Sequence, residues 1–291
     1  MRDVTGRVAV VTGGASGIGL AMAKRFAAEQ MKVVIADVEE PALSAAEKEL
    51  QELGAEVLAV PTDVSLWDSV EALAQATFDR FGTAHVLCNN AGVGPGGVTW
   101  DLSQSVWEWV IGVDLFGVIH GIRAFVPRLV EQAEGHVVNT SSYVGGLFGA
   151  AGNAPYCAAK YGVLGISTSL AADLRVAQSP VKVTALCPGG TRTRMPESGR
   201  NWPARLGPPP TTGLRTGHPE RRASAPPPGP STAVDPSVVA DAVFDAILEE
   251  RFWVVTDPNL ESDMRPYIDG MLSGELWLRA PRATGAPERV Q

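Results

Sequence analysis

Two side chains near the middle of the chain have the residue types and the spacing of an acid/base pair. Tyr156 and Lys160 lie four residues apart in a helix-compatible segment, so they share one helix face. A phenol in water loses its proton only near pH ~10, and a neighbouring ammonium lowers that value by stabilising the phenolate. Any Tyr and Lys on a solvated helix face would match this spacing. The pattern therefore gains meaning only if the same chain holds a cofactor site.

Ser142 is the third candidate. It follows the apolar run 136–141, which is typical of a buried parallel strand. Its hydroxyl would lie at the carboxyl end of that strand, where open α/β sheets bind ligands. Ser141 is the alternative for this position.

The amino-terminal segment predicts a dinucleotide site. The apolar run 7–11 leads into a glycine-rich turn and a helical pattern from Leu20 to Gln30, which leaves backbone N–H groups free to face a pyrophosphate. A second strand-like run, 32–36, ends at Asp37, whose carboxylate can accept hydrogen bonds from ribose hydroxyls and repels a 2′-phosphate. NAD is therefore favoured over NADP, although an ordinary tight turn and a helix cap would also fit. The candidate residues are Gly13, Ser16, Gly17, Ile18, Gly19 and Asp37.

Two further strand ends carry polar or small residues. The run 56–60 leads to Asp63 and Val64, where a polar group can reach the adenine amine. The run 85–88 leads to Asn89 and Asn90, whose amides can cross-link neighbouring strands, followed by small residues that let the chain pass close to the cofactor. The candidates here are Asp63, Val64, Asn90, Ala91 and Gly92.

Together these motifs make the chain resemble a classical short-chain dehydrogenase/reductase over residues 5–193, with further similarity near 236–256. The motifs are Thr12-Gly13-x-x-x-Gly17-Ile18-Gly19, Asn89-Asn90-Ala91-Gly92, Ser142, Tyr156-x-x-x-Lys160 and Pro188-Gly189. The resemblance implies a doubly wound, mostly parallel α/β sheet of the Rossmann type. It implies that Tyr156 is the catalytic acid/base, that Lys160 lowers its pKa and holds the nicotinamide ribose, and that Ser142 hydrogen-bonds the reacting oxygen. It adds Pro188, Gly189, Thr191 and Thr193 to the cofactor site, where the backbone near Thr191 and the hydroxyl of Thr193 face the nicotinamide carboxamide. It also implies a homo-oligomer, a dimer or a tetramer.

Asp114 departs from the family pattern. In the predicted helix Trp107 to Val130 the family has an asparagine at this point, which helps to hold a water that links the lysine to solvent. If the backbone carbonyl of residue 114 is what mainly holds this water, replacing asparagine by aspartate has a mild effect. If the side chain is needed, the substitution alters proton transfer from the lysine to solvent. A packed structural role is the third interpretation. Asp114 is therefore kept as a candidate catalytic residue.

The chain is predicted to form one domain with an insertion. Residues 1–193 form the dinucleotide-binding and catalytic core. Residues 194–235, here called the lid, are predicted to bind substrate and to be partly mobile, because the stretch 203–236 holds ten of the 22 prolines and cannot form a regular helix or a central strand. Residues 236–278 return to the core as a helix and a closing strand, and 279–291 form a tail.

Composition narrows the functional class. The net charge of −8 argues against a nucleic-acid surface, and the three cysteines show no metal-ligand spacing, so no metal is expected. No window approaches the ~18 consecutive apolar residues of a membrane span and no signal peptide is evident, which predicts a soluble cytoplasmic protein.

The sequence predicts an NAD-dependent oxidoreductase that interconverts a secondary alcohol and a ketone. Trp202 and Leu206 in the lid favour an apolar or aromatic substrate, although the lid arginines would also permit an anionic one. An NADPH-linked carbonyl or ketoacyl reductase and a non-catalytic NAD-sensing protein are the alternatives.

Overall fold

A single parallel sheet of seven strands forms the centre of the molecule, in the order β3-β2-β1-β4-β5-β6-β7. The computed structural model describes residues 3–94, 96–210 and 233–277. The strands are nearly continuous apolar runs because helices cover both faces of the sheet. Their bounds are Val8–Thr12 (β1), Lys32–Asp37 (β2), Val57–Pro61 (β3), Val86–Asn89 (β4), His136–Thr140 (β5), Lys182–Cys187 (β6) and Trp253–Val255 (β7). The predicted doubly wound fold is confirmed.

The helices divide between the two faces of the sheet. One apolar core contains residues of Gly17–Ala28 (α1), Glu40–Glu52 (α2) and Pro236–Glu249 (α7). The other contains residues of Trp67–Phe81 (α3), Gly117–Glu131 (α5) and Ala154–Val176 (α6). The helices Gln104–Ile111 (α4) and Leu260–Ser273 (α8) complete the described set.

The structure corrects the sequence prediction in three places. The helix expected from Trp107 to Val130 is divided by a π-helical turn, Gly112–Phe116, which carries Asp114 between α4 and α5. The helix α1 begins at Gly17 rather than Leu20. The helix α8 was not predicted, and Pro266 within it obscures its signal. Residues 211–232 of the predicted lid, and the predicted tail, lie outside the described residues.

Within the described residues, the stretch Gln104–Glu131 is long and apolar enough to cross a membrane by length and composition. About half of its most apolar window, 56%, is buried inside the fold. A core helix of a globular protein passes the same test.

The packing of α1 against α7 generates a stability prediction. Phe26 is 1% exposed, and its ring centroid lies 6.5 Å from that of Phe244. We expect Phe26→Ala to lower the free energy of unfolding by about 3–5 kcal/mol, because it leaves a cavity in a closed core. Chemical denaturation measures the change. Val176→Ala, at a side chain that is 83% exposed, is the control and should change stability by less than about 0.5 kcal/mol. Equal effects of the two variants would contradict the assignment of this core.

Candidate active site

The carboxyl ends of the strands open into a cavity of about 980 Å³. This volume lies at the upper end of the range for small-molecule and cofactor sites. Nearly all the residues singled out from the sequence line its wall: Gly13, Ser16, Gly17, Ile18, Asp37, Asp63, Val64, Asn90, Ala91, Gly92, Ser142, Tyr156, Lys160, Pro188, Gly189, Thr191 and Thr193. Gly19 and Asp114 lie behind the wall instead of in it.

The glycine-rich turn between β1 and α1 fits a pyrophosphate. Gly19 must be a glycine, because a Cβ built on it would lie 2.0 Å from the carbonyl oxygen of Gly13. Ser16 stands at the amino-terminal cap of α1, and within the described residues its side chain makes no capping hydrogen bond. The first N–H groups of α1 thus remain available for an anion at the positive end of the helix dipole.

Two carboxylates lie at the end of the cavity formed by β2. Asp37 accepts hydrogen bonds from the backbone N–H groups of Ala15 and Glu39, each at 3.1 Å. Burial raises the pKa of Asp37, and these hydrogen bonds offset part of the rise. Glu39 accepts hydrogen bonds from Arg200 and, at 2.9 Å, from Asn201. The hydrogen bond from Arg200 lowers the pKa of Glu39 below its usual range.

Asn90 and Thr12 join the ends of neighbouring strands. Thr12 Oγ1 accepts hydrogen bonds from the backbone N–H groups of Asn90 at 2.9 Å and Ala91 at 3.1 Å. Asn90 Nδ2 donates to the carbonyl oxygen of Thr12 at 3.1 Å, and Thr140 donates to Asn90 Oδ1 at 3.4 Å. The predicted cross-linking role of the asparagines is confirmed. It fixes β1, β4 and β5 relative to one another at the floor of the cavity.

The two candidate serines have different partners. Ser141 is buried and donates a hydrogen bond to the carbonyl oxygen of Lys160 at 2.8 Å, which ties β5 to α6. Ser142 begins the loop that follows β5, and its hydroxyl donates to the carbonyl oxygen of Val144 at 2.7 Å. Because the hydroxyl of Ser141 is used to join two elements, the geometry favours Ser142 as the residue that meets a substrate.

The loop after Ser142 also fixes the ring of Tyr156. Gly145 has a φ of +114°, and a Cβ built on it would lie 2.7 Å from two carbon atoms of that ring. On the far side of the loop, the Tyr143 hydroxyl donates to Asp263 Oδ2 of α8 at 2.6 Å. The unpredicted helix α8 therefore supports the loop that carries Ser142.

Lys160 is almost fully buried, with 2% of its side chain exposed. Its Nζ donates to the carbonyl oxygen of Thr140 at 3.0 Å, lies 3.2 Å from Asp114 Oδ2 and lies 5.6 Å from the centroid of the Tyr156 ring. Burial alone would lower the pKa of Lys160, but the charges of Asp114 and Tyr156 outweigh it, so the pKa is raised. Lys160 is therefore held as an ammonium next to the phenol.

The first part of the lid crosses the cavity. Its turn Met195–Asn201 places Ser198 where its hydroxyl accepts a hydrogen bond from Gly94 N at 3.1 Å. Beyond it, the ring of Trp202 lies 5.1 Å from that of Trp109. Trp109 of α4 lines the cavity, whereas Trp100 is exposed to solvent.

Some lining residues were missed by the sequence analysis. The segment that follows β7 brings Thr256, Asp257, Pro258 and Asn259 to the wall. The signal that could have found them is the position of β7 in a parallel sheet, because all its carboxyl ends lie at one edge. Within the described residues, no group of three or more His, Cys, Asp or Glu side chains could hold a metal ion.

Comparison with known proteins agrees with this geometry. The family described as short chain dehydrogenase matches residues 7–204. The chain belongs to the short-chain dehydrogenase family. Among its relatives, a 1-deoxy-11-beta-hydroxypentalenate dehydrogenase of Streptomyces arenae is 37% identical over 289 residues, which cover 97% of this chain and 92% of the relative.

Two solved structures of short-chain dehydrogenases carry different cofactors. A member from Burkholderia phymatum in complex with NAD has a TM-score of 0.87 and 36% identity, and the match covers 97% of this chain and all (100%) of that one. A metagenomic short-chain oxidoreductase in complex with NADP has a TM-score of 0.69 and 29% identity, with coverage of 89% and 100%. Members of this family with similar structures thus bind either nicotinamide dinucleotide.

The contact between Gly145 and Tyr156 generates a prediction. Gly145→Ala should displace the Tyr156 ring and lower kcat by about 10²-fold, since a shift of ~1 Å at a reacting group can cost that much. Gly149→Ala in the same loop is the control, because a Cβ built there meets nothing within 4 Å. Steady-state kinetics with thermal denaturation of both variants separates a local effect from unfolding. Unchanged turnover in Gly145→Ala would show that the loop does not position the ring.

Proposed function

We propose that this short-chain dehydrogenase uses NAD to interconvert a secondary alcohol and a ketone. The observation that carries the proposal is that Ser142, Tyr156 and Lys160 line the same cavity as the glycine-rich turn. Support comes from the Streptomyces arenae relative, whose name describes a dehydrogenase of a hydroxylated carboxylate.

Each of the three side chains has a separate task. Bound NAD supplies the acceptor for a hydride. Ser142 donates a hydrogen bond to the substrate oxygen. To do so, its hydroxyl gives up the hydrogen bond that it donates to the carbonyl oxygen of Val144. Tyr156 removes the hydroxyl proton as the general base, and the Lys160 ammonium favours the phenolate. In the reverse direction the phenol of Tyr156 returns a proton to the ketone oxygen.

The preference for NAD is proposed from the acidic end of the cavity. Asp37 and Glu39 both line it, and a 2′-phosphate there would meet two carboxylates. Arg194 and Arg200 are nearby cations that could favour NADP, but both are paired with Glu39. The NAD complex of the Burkholderia phymatum relative supports this choice.

A cofactor titration tests the role of Asp37. Asp37→Ala should weaken NAD binding about 10- to 100-fold, because hydrogen bonds to a charged group contribute ~1.5–3 kcal/mol, and should leave NADP binding unchanged or stronger. Isothermal titration calorimetry with both cofactors gives the two Kd values. Glu40→Ala, at an exposed acid at the start of α2, is the control for loss of charge. An equal loss for both cofactors would argue against a role in discrimination.

We propose an apolar or aromatic substrate. Tyr156 packs with Trp202 and Leu206 of the lid against a buried cluster that includes Trp109. The described lid arginines have polar partners: Arg200 binds Glu39, and Arg205 donates to the hydroxyl of Ser65 at 2.7 Å. The carboxylate of Glu39 balances the charge of Arg200, whereas the hydroxyl of Ser65 leaves the charge of Arg205 in place, so an anionic group on an otherwise apolar substrate is the alternative. The arginines at 215, 221 and 222 lie outside the described residues.

A substrate panel tests the proposed activity. Purified protein with NAD should form NADH from one class among aryl, terpenoid, steroid and acyl-linked secondary alcohols. Tyr156→Phe should lower kcat by ~10²–10⁴-fold, the usual contribution of a general acid/base, and should keep its affinity for NAD. Turnover with NADPH alone would favour the carbonyl or ketoacyl reductase. Binding of NAD with no turnover of any alcohol or ketone would favour the sensing protein.

The assembly and the cellular location remain predictions. Phe116 on the π-helical turn and Tyr161 on α6 are both exposed to solvent. Large apolar side chains exposed on two neighbouring helical elements support the predicted homo-oligomer. The prediction of a cytoplasmic protein rests on the sequence alone.

A further inference from the structure

The buried pair of Asp114 and Lys160 is the basis of a further inference, which rests on the proposed role of Tyr156 as acid/base. The side chain of Asp114 is 0% exposed. Its Oδ1 accepts a hydrogen bond from Val93 N at 2.8 Å, and its Oδ2 lies 3.2 Å from Lys160 Nζ. Gly92 covers the pair: a Cβ built on it would lie 3.4 Å from Asp114 Oδ2 and 3.5 Å from Lys160 Nζ.

We propose that Asp114 is a positioning residue that cancels the charge of Lys160, so that Tyr156 ionises at a higher pH than it would beside an asparagine at position 114. An asparagine could accept the same hydrogen bond from Val93, but it would leave Lys160 with an uncompensated positive charge. When Asp114 is ionised, its carboxylate offsets the charge of the Lys160 ammonium 3.2 Å away, and the net charge of the pair is zero. The difference between the two side chains is therefore one unit of charge close to the phenol.

Besides Asp114 and Lys160, titratable groups lie on several elements around the cavity, and Asp257 after β7 lines the same wall. On β6, burial raises the pKa of Cys187 to about 12, and on α6 burial raises the pKa of Cys157. At the end of β4, burial likewise raises the pKa of Cys88. All three thiols are neutral near pH 7. On the lid, Arg194 is paired with Glu197 at 3.2 Å, so its charge is balanced near the cavity mouth.

The sign and size of the effect follow from Coulomb's law. Asp114 Oδ2 is 3.2 Å from Lys160 Nζ, which is 5.6 Å from the centroid of the Tyr156 ring. Removing a negative charge within ~9 Å of the ring centroid stabilises the phenolate, and at an effective dielectric constant of ~20 the shift is on the order of one pH unit. Compared with an asparagine at position 114, Asp114 therefore means that oxidation needs a more alkaline solution. The protonated phenol that reduction needs persists to a higher pH than it would beside the asparagine.

The first test follows Tyr156 directly and needs neither a substrate nor turnover. The full-length protein is labelled at tyrosine Cζ, and its four tyrosine signals are titrated by NMR. Tyr156→Phe assigns the signal of Tyr156. In Asp114→Asn the titration midpoint of Tyr156 should fall by on the order of one pH unit. Glu108→Gln removes the same charge from an exposed site on α4 and should leave the midpoint unchanged.

The outcomes separate this inference from the proposed function. An unchanged or higher midpoint in Asp114→Asn overturns charge compensation, whether or not the protein turns over any alcohol. A lower midpoint supports it even if no substrate is found. Where a substrate is available, the acidic limb of kcat/KM for oxidation should move to lower pH by the same amount. Asp114→Ser removes the charge with a smaller side chain and decides the question if Asp114→Asn does not fold.

Discussion

The burial of one cation is the constraint on which the site depends. An ammonium removed from water is stable only if its donors and its charge are satisfied. Lys160 meets that condition through the carbonyl oxygen of Thr140 on β5 and the carboxylate of Asp114 on the π-helical turn. The carbonyl oxygen of Lys160 is in turn held by Ser141. Three elements are thus locked around a single side chain, and the position of Tyr156 one helical turn earlier follows from that arrangement.

The parallel sheet supplies the frame in which this cluster forms. Because all seven strands run in the same direction, their carboxyl ends meet at one edge, and side chains distant in sequence become neighbours there. The hydrogen bonds between Thr12, Asn90 and Thr140 keep that edge in register. A second buried bridge, from Asn89 Nδ2 to Asn139 Oδ1 at 2.8 Å, links β4 to β5 one residue earlier. The polar floor of the cavity is therefore a structural part of the sheet as well as a surface for a ligand.

The sequence predicted what depends on local chemistry and strand order. The apolar runs, the glycine-rich turn and Asp37 each carry their own signal, and the parallel fold then places them together. Two contacts had no signal in the sequence: that of Glu39 with Arg200 and that of Tyr143 with Asp263. Each joins residues more than a hundred positions apart through exposed or irregular segments. Asp114 was recognised as unusual, but a sequence cannot show whether a carboxylate faces a lysine or packs elsewhere. The π-helical turn, which sets that direction, leaves no mark in the apolar periodicity.

The residues proposed to bind the cofactor and those proposed to contact the substrate line one cavity. Glu39 follows β2 at the end of the cavity proposed for the adenosine, and it accepts hydrogen bonds from Arg200 and Asn201, which directly precede Trp202 in the lid. Trp202 then packs on Trp109 beside Tyr156. A change at the carboxylates that are proposed to select the cofactor would therefore be transmitted to the aromatic surface proposed to contact the substrate. Under the proposed function, the path of the lid would thus couple cofactor preference to substrate fit in this chain.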